Sequence, residues 1–520
     1  MKKLGIFTMA LLFLAGSAGL AVAGSVNSGD DESSAQTITI SGSIELTGYV
    51  RTEEINEILD GAGWAFTGGV GPVADSSDFA AGDAGWTAQV KVRFDIGLAE
   101  KVSAVIELGN RDLGGNGHVA NASFFGSAPA AQFVTFLKGY IRVDEFLYQQ
   151  LSFQLGWQDF HLSLRGDGNS FLVDLTESEL AFMSSMQENY AGRVYGYGQN
   201  TAPPFLFSRE KDNHVGGFRL TYNDQDQLYV DFFAFNIRED DAVTAGTDHE
   251  DELFYGINVD YNLDTAGDRR SLVNAIFAMF SNDQNANRVY SIGAGIDYWW
   301  EQLELFGEIH GQFGDYAALN SAETSVFGTA ILNGKRIDQK AYGGYVGGRY
   351  EFESEWKPYL ELSFWYLTGD DGQRDDDNED FVSYENVNDA MIIEGSLLGL
   401  DVDSNYWALK LKGGITTSLD KPEDFDVAVF YGHFQTTEDV DRAGTFTNDV
   451  AHSNIDQNLG DEIDLAATWR YSESLTFELK AGFLFNGDFW GNKPATGFVG
   501  GYASGDDSMQ LYTFTTDLKF

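Results

Sequence analysis

From Trp86 the chain alternates, with Thr87, Gln89, Lys91, Arg93 and Asp95 on odd positions and Ala88, Val90, Val92, Phe94, Ile96 and Leu98 on even ones. Successive side chains of a strand point to opposite faces, so this segment has one charged face and one apolar face. After Ala99-Glu100-Lys101 the pattern resumes through Val102, Ala104, Ile106 and Leu108, which makes a long hairpin. The unit recurs at 133–143 with 148–160, 214–222 with 227–238, 252–262 with 271–282, 290–299 with 302–314, 341–352 with 357–368, 405–419 with 424–435, and 461–471 with 474–486. Eight hairpins, a first strand at 36–50 and a last at 508–520 predict about 18 strands.

Connections inside hairpins are brief, as at Asn223-Asp224-Gln225-Asp226 and Trp300-Glu301. Between hairpins the pattern predicts long ones, at 51–85, 110–132, 161–213, 315–340, 369–404, 436–460 and 487–507. Strands of this length with one apolar face, even in number and joined by alternately short and long turns, predict an all-β fold. The architecture is a transmembrane antiparallel up-and-down β-barrel over 36–520 with long extracellular loops. A soluble sandwich array or β-helix is the alternative, but sandwiches seldom keep strands this long with one wholly apolar face. Aromatics gather near strand ends (Tyr140, Trp157, Tyr298-Trp299-Trp300, Trp365-Tyr366, Trp407, Trp469, Tyr471), where interfacial girdles lie. The last strand sets Tyr512, Phe514, Thr516, Leu518 and Phe520 on one face. Its terminal aromatic resembles the insertion signal read by the barrel-assembly machinery.

The N-terminus adds a compartment. Met1-Lys2-Lys3, an apolar run from Leu4 to Leu20 and Ala21-Val22-Ala23 read as a signal peptide over 1–23 rather than a retained anchor, followed by a short flexible segment at 24–35. An exported barrel belongs in an outer membrane of the Gram-negative type, with both termini periplasmic. Composition agrees, since 59 Gly and 7 Pro in 520 residues suit long strands and tight turns. The formal charge of −48 argues against nucleic-acid binding, which needs clustered Lys and Arg, and the lack of Cys excludes thiol chemistry.

Inside a barrel the polar parity faces the lumen, because a charge facing lipid near the midplane costs ~2–4 kcal/mol. The pore-lining candidates are Lys91, Arg93, Asp95, Lys138, Arg142, Arg219, Asp231, Asp297, Glu304, Glu308, Arg349, Glu361, Lys410, Lys412 and Arg470. Arg51, Lys480, Glu45, Glu107, Asp260, Asp426, Asp464 and Glu478 share that parity, so bases and acids nearly balance. Facing rows of opposite charge pass hydrophilic solutes, whereas any one of these residues taken alone reads first as a structural ion pair. The acidic excess lies in 369–404, 239–252 and 436–462, which hold half the net charge and attract cations to the mouth.

Metal and catalytic signatures are weak. Asp375-Asp376-Asp377-Asn378-Glu379-Asp380 offers carboxylates to a divalent cation, but a solvated acidic surface is the default, and Asp401-x-Asp403-x-Asn405 has Tyr406 where a calcium loop needs Gly. No cofactor or metal site is assigned. His161 with Ser163 and Glu308 with His310 are same-face pairs of the kind that period two produces in every strand. No catalytic residue is assigned, and the chain reads as a non-enzyme.

Three short motifs carry a family resemblance: the strand Lys357–Thr368 leading into Gly369-Asp370-Asp371, the later Ser504-Gly505-Asp506-Asp507, and Leu155-Gly156-Trp157-Gln158 followed by Gly166-Asp167. They resemble alginate-export-type outer-membrane porins, with Trp157 standing where the family has Arg. The resemblance implies an 18-stranded, monomeric barrel that conducts a hydrophilic solute, in alginate exporters a polyuronate drawn through a basic constriction. The missing Arg and the acidic mouth point away from alginate, toward small hydrophilic solutes or ions gated by 161–213 and 369–404. The rivals are a plugged receptor, adhesin or structural barrel, and a lipid-facing hydrolase.

Overall fold

The computed structural model describes residues 37–51, 84–110, 134–162, 164, 171–175, 216–224, 227–238, 252–264, 271–282, 287–318, 336–369, 377–381, 383, 389–395, 402, 404–417, 424–438, 457–487 and 508–520. Eighteen strands build the wall. They are β1 (Thr37–Arg51), β2 (Ala84–Ala99), β3 (Val102–Asn110), β4 (Val134–Val143), β5 (Leu151–Trp157), β6 (Gly216–Asn223), β7 (Leu228–Arg238), β8 (Glu252–Asp264) and β9 (Ser271–Asn282). The series continues with β10 (Asn287–Trp300), β11 (Leu303–Ala318), β12 (Arg336–Glu351), β13 (Tyr359–Leu367), β14 (Tyr406–Thr416), β15 (Phe425–Thr436), β16 (Asn458–Arg470), β17 (Leu475–Asn486) and β18 (Ser508–Lys519). Each pairs antiparallel with the next, and β18 pairs back onto β1 through Ser43↔Lys519 to Arg51↔Leu511. The sheet therefore closes with no free edge, which is what lets strands cross hydrocarbon with every backbone group paired.

Register places Thr37 opposite Gly97, beside the β2–β3 turn, and Lys519 opposite Ser43. The start of β1 and the end of β18 thus lie at the rim of the short turns. The expected signal peptide over 1–23 and the segment 24–35 fall outside the described residues. Among the described residues no helix is long and apolar enough to cross a membrane.

The wall shows its two faces by exposure. Ile292, Ile309, Val346, Leu360, Leu362 and Leu479 are exposed on the outer face, while their strand neighbours Ser291, His310, Tyr345, Glu361, Ser363 and Lys480 point inward. Three girdle assignments need correction. Tyr140, Trp299 and Trp365 take the inward parity, and Trp365 is buried at 4% exposure beneath Lys410. The strand expected over 148–160 is only Leu151–Trp157, since the chain leaves the wall at Gln158 and turns inward. The β9–β10 connection, which joins two hairpins, spans only the four residues 283–286.

The buried apolar cluster sits inside the barrel rather than between sheets. It joins inward wall residues, among them Phe233, Phe235, Phe254, Phe280, Trp365, Phe430 and Phe434, to residues of two loops, among them Phe160, Phe171, Phe381, Ile392 and Ile393. Parts of the β5–β6 and β13–β14 connections therefore fill the lumen.

Candidate functional site

All fifteen charged residues singled out by parity sit on the inward face. Many are engaged by neighbours. Arg93 donates to Asp95 at 2.9 Å, and Lys138 reaches Glu107 at 3.4 Å and Asp159 at 2.7 Å. Arg219 binds Asp231 through Nε at 2.9 Å, lies beside Tyr229, and holds its guanidinium 5.4 Å from the Phe160 ring. Glu361 lies between Arg349 of β12 and Lys412 of β14 in register, while Arg349 stacks over Tyr359 at 4.1 Å. Asp297 and Glu304 are buried on β10 and β11, Arg142 pairs with Asp144 at the short-turn rim, and Arg470 ends β16 at that rim.

The first infolded segment follows β5. Phe160-His161 bridges Asp174-Leu175, with Leu162 N donating to Val173 O at 3.0 Å. Phe160, fully buried, packs on Phe233, Phe235 and Phe254 at ring distances of 4.5, 4.9 and 6.0 Å. Phe171 then reaches across to Trp365 at 5.8 Å and His310 at 5.6 Å.

The second follows β13. Asp377-Asn378 runs parallel to Asp338-Gln339, and Asn378 and Gln339 bond through their amides at 2.7 Å. Phe381 meets Phe171 at 5.2 Å, so the two segments touch inside the barrel. Gly343 makes this possible, since a Cβ there would lie 3.0 Å from Phe171 and 3.1 Å from Phe381.

Further along, the turn 389–394 docks by polar bonds. Met391 N donates to Asp464 at 2.9 Å, and Ile392 N and Ile393 N donate to the two oxygens of Glu462 at 2.6 and 2.9 Å. Glu394 accepts from Tyr406 at 2.8 Å and pairs with Lys410 at 2.6 Å, while Asp389 lies 3.3 Å from Lys410 and 3.7 Å from Lys412. Burial pushes the Glu394 carboxyl above its ordinary range, and neighbouring Lys410 opposes the shift.

Glu308 and His310, a pair that alternation alone explains, are in contact at 2.6 Å, with Ser291 3.4 Å from the other ring nitrogen. His310 is 1% exposed and covered by Phe171, which makes the trio a buried polar network under a loop. His161 pairs with Asp174 across the small bridge, and Ser163 lies outside the described residues. Of the acidic run 375–380, Asp377 binds Lys340 at 2.6 Å and Asn378 binds Gln339. Among the described residues no three His, Asp or Glu side chains group as metal ligands. Asn405, the third position of the calcium-like run, turns its side-chain oxygen to Thr437 and to the backbone of Glu438. The resemblance motif has a physical reason there, because a Cβ at Gly369 would lie 1.9 Å from that same Asn405 oxygen.

Trp157 lies where the aromatic girdle puts it. It shares the outer face with Leu155 and Ile141 and is 44% exposed, so its side chain takes no part in the lumen.

The family model described as alginate export matches residues 202–498, more than half of the chain. The chain belongs to the alginate export family. It is accordingly a porin-like barrel of the outer membrane. Comparison with curated proteins gives no match. Solved structures similar to it include OccD3 (OpdP) of Pseudomonas aeruginosa, at 11% identity and a TM-score of 0.47, covering 96% of this chain and 93% of that one. OccK11 (OpdR) of the same organism is similar at 9% identity and 0.45, covering 93% and 96%.

Proposed function

We propose that this alginate export family barrel conducts small hydrophilic solutes or cations across the outer membrane, through a lumen narrowed by the described residues of the β5–β6 and β13–β14 connections. The observation that carries this is the inward face itself, charged and nearly balanced, with two loops folded onto it. Opposed charges on such a wall let hydrated solutes pass, and acidic loops concentrate cations at the mouth. The fifteen charged residues named above line the path in this reading. The protein acts without catalysis or cofactor, is exported by the segment 1–23, enters the membrane through the barrel-assembly machinery and works as a monomer with periplasmic termini. The position of the start of β1 and the end of β18 at the short-turn rim supports that orientation, since outer-membrane barrels keep short turns periplasmic.

Single-channel conductance and reversal potential of the refolded mature protein in a planar bilayer under a salt gradient test the proposal. Stable cation-preferring openings are expected, and deletion of 369–404 raises conductance or lowers cation preference. Anion preference would instead put the inward Lys and Arg in control. A plugged receptor, adhesin or structural barrel is the second reading, favoured by the full burial of Phe160, Ile392 and Ile393 inside the wall. Folded protein that carries no current would select it.

A further inference from the structure

Glu462 and Asp464 stand two residues apart on the inward face of β16, at 0% and 5% exposure. Their cross-strand partners are Gly432 and Leu484 for Glu462, and Phe430 and Gly482 for Asp464, so the wall sets no cation opposite either carboxylate. Gly482 leaves the space the turn uses, because a Cβ there would lie 3.1 Å from Met391 Cβ and 2.8 Å from Asp464 Oδ1. The bonds that the two carboxylates accept from the turn come from the backbone N–H groups of residues 391–393.

Two details of that contact point to a ligand class. Glu462 accepts one N–H on each oxygen, from adjacent residues at 2.6 and 2.9 Å, which is the fork that a guanidinium presents to a carboxylate. Asp464 Oδ1, buried in the same place, accepts nothing from the turn, whose Met391 N–H bonds the other oxygen. The local charges leave a deficit as well. Lys410 and Lys412 reach Asp389 and Glu394 of the turn, and Lys480 pairs with Glu478 and acts on Asp464 only at a distance, whereas the bonds that Glu462 and Asp464 accept from the turn come from amide groups. A cationic N–H donor would supply the same hydrogen bonds together with the charge that buried carboxylates favour.

We propose that Glu462 and Asp464 form a receiving site for guanidinium-bearing cationic solutes, occupied in this conformation by the N–H groups of Met391, Ile392 and Ile393. Such a solute competes for the two carboxylates and releases the turn from the wall. The inference rests on the channel reading for its consequence, wider conduction, but the displacement itself is measurable without current.

Hydrogen exchange of the full barrel in detergent reads that displacement at the amides of 391–393. Low-millimolar guanidinium chloride lowers their protection roughly tenfold, a shift within reach of a ligand with modest differential affinity. Tetramethylammonium chloride at equal ionic strength, a cation without N–H groups, leaves it unchanged. Glu462→Gln, checked for barrel folding by its heat-modifiable mobility on gels, loses the guanidinium response. Ile392→Pro, which deletes one arm of the fork and keeps both carboxylates, exposes the turn before any guanidinium is added. Equal effects of the two cations on the wild type, or an undiminished response in Glu462→Gln, would overturn the site. Bilayer currents in the same salts then separate the two proposals. Displacement with no current would leave the site standing and refute the channel, and current with no displacement would do the reverse.

Discussion

Phe160–Leu162 with Phe171–Leu175, and the turn 389–394, enter the same lumen and are held there by opposite chemistry. Phe160 and Phe171 dock as rings against rings, on Phe233, Phe235 and Phe254 in one direction and on Trp365 in the other. The turn docks mainly through polar bonds, three of its amides on wall carboxylates and two of its carboxylates on wall lysines. Apolar docking is non-directional and offers no partner for a solute's charge. Buried ionic docking is directional and yields when either partner finds a better match. Under the proposals above, the difference gives the two loops different tasks: the first narrows the bore, and the second responds to a cationic solute.

The largest expected effect breaks the apolar side. Phe160→Ala removes a fully buried ring and costs about 3–5 kcal/mol of docking, the usual loss for a core aromatic. Amide protection around Leu162, whose N–H bonds Val173, falls steeply, while the amides of 391–393 keep theirs. Loss of protection in both places would mean that the two segments dock as one unit.

The wall was legible in the chain because period two is enforced by lipid on one side and water on the other. Lys91, Arg93 and Asp95 lie on one parity and Val90, Val92 and Phe94 on the other, and no packing detail is needed to sort them. The docking sites were not legible in that way. Phe233, Phe235, Phe254 and Phe280 are apolar residues on the inward parity, where alternation alone expects polar ones. The signal was present as lost alternation, in Asp231-Phe232-Phe233-Ala234-Phe235 and in Ala275-Ile276-Phe277-Ala278-Met279-Phe280, since a strand covered on both faces reads as continuously apolar. Glu462 was assigned to an acidic surface stretch although it shares parity with Asp464. Nothing local in the sequence announces that residues 391–393 come back to meet it, because that contact spans some seventy positions. The inward side of Tyr140 was hidden for a related reason: its side follows from the register of β3 and β4, not from its place near a strand end.

A smaller effect sharpens where the two segments meet. Gly343→Val places methyl groups where Phe171 and Phe381 already lie 3.0–3.1 Å from a bare Cβ, a crowding of about 1–3 kcal/mol. Protection falls together at 171–175 and 377–381. If the turn is held by its own bonds, 391–393 remains protected, and the β13–β14 connection consists of two separately anchored pieces.

The smallest effect isolates one hydrogen bond on the ionic side. Tyr406→Phe removes the hydroxyl that donates to Glu394 at 2.8 Å and costs about 1 kcal/mol at neutral pH. Its pH dependence carries a sign. Burial holds the Glu394 carboxyl above its ordinary value of 4.5 in the docked turn, so docking takes up a proton that the free loop releases. The contribution of this group to docking is therefore fully present below 4.5 and is lost as pH rises through the docked value. Removing a hydroxyl that favours the charged form raises the docked value further, so the variant is weakest relative to the wild type at neutral pH and approaches it on acidification. Protection factors at 391–393 measured across that range, corrected for the intrinsic exchange rate, check both the size and the direction. A deficit that grows as the pH falls would place the Tyr406 hydroxyl on the neutral acid and reverse the electrostatic account of the turn.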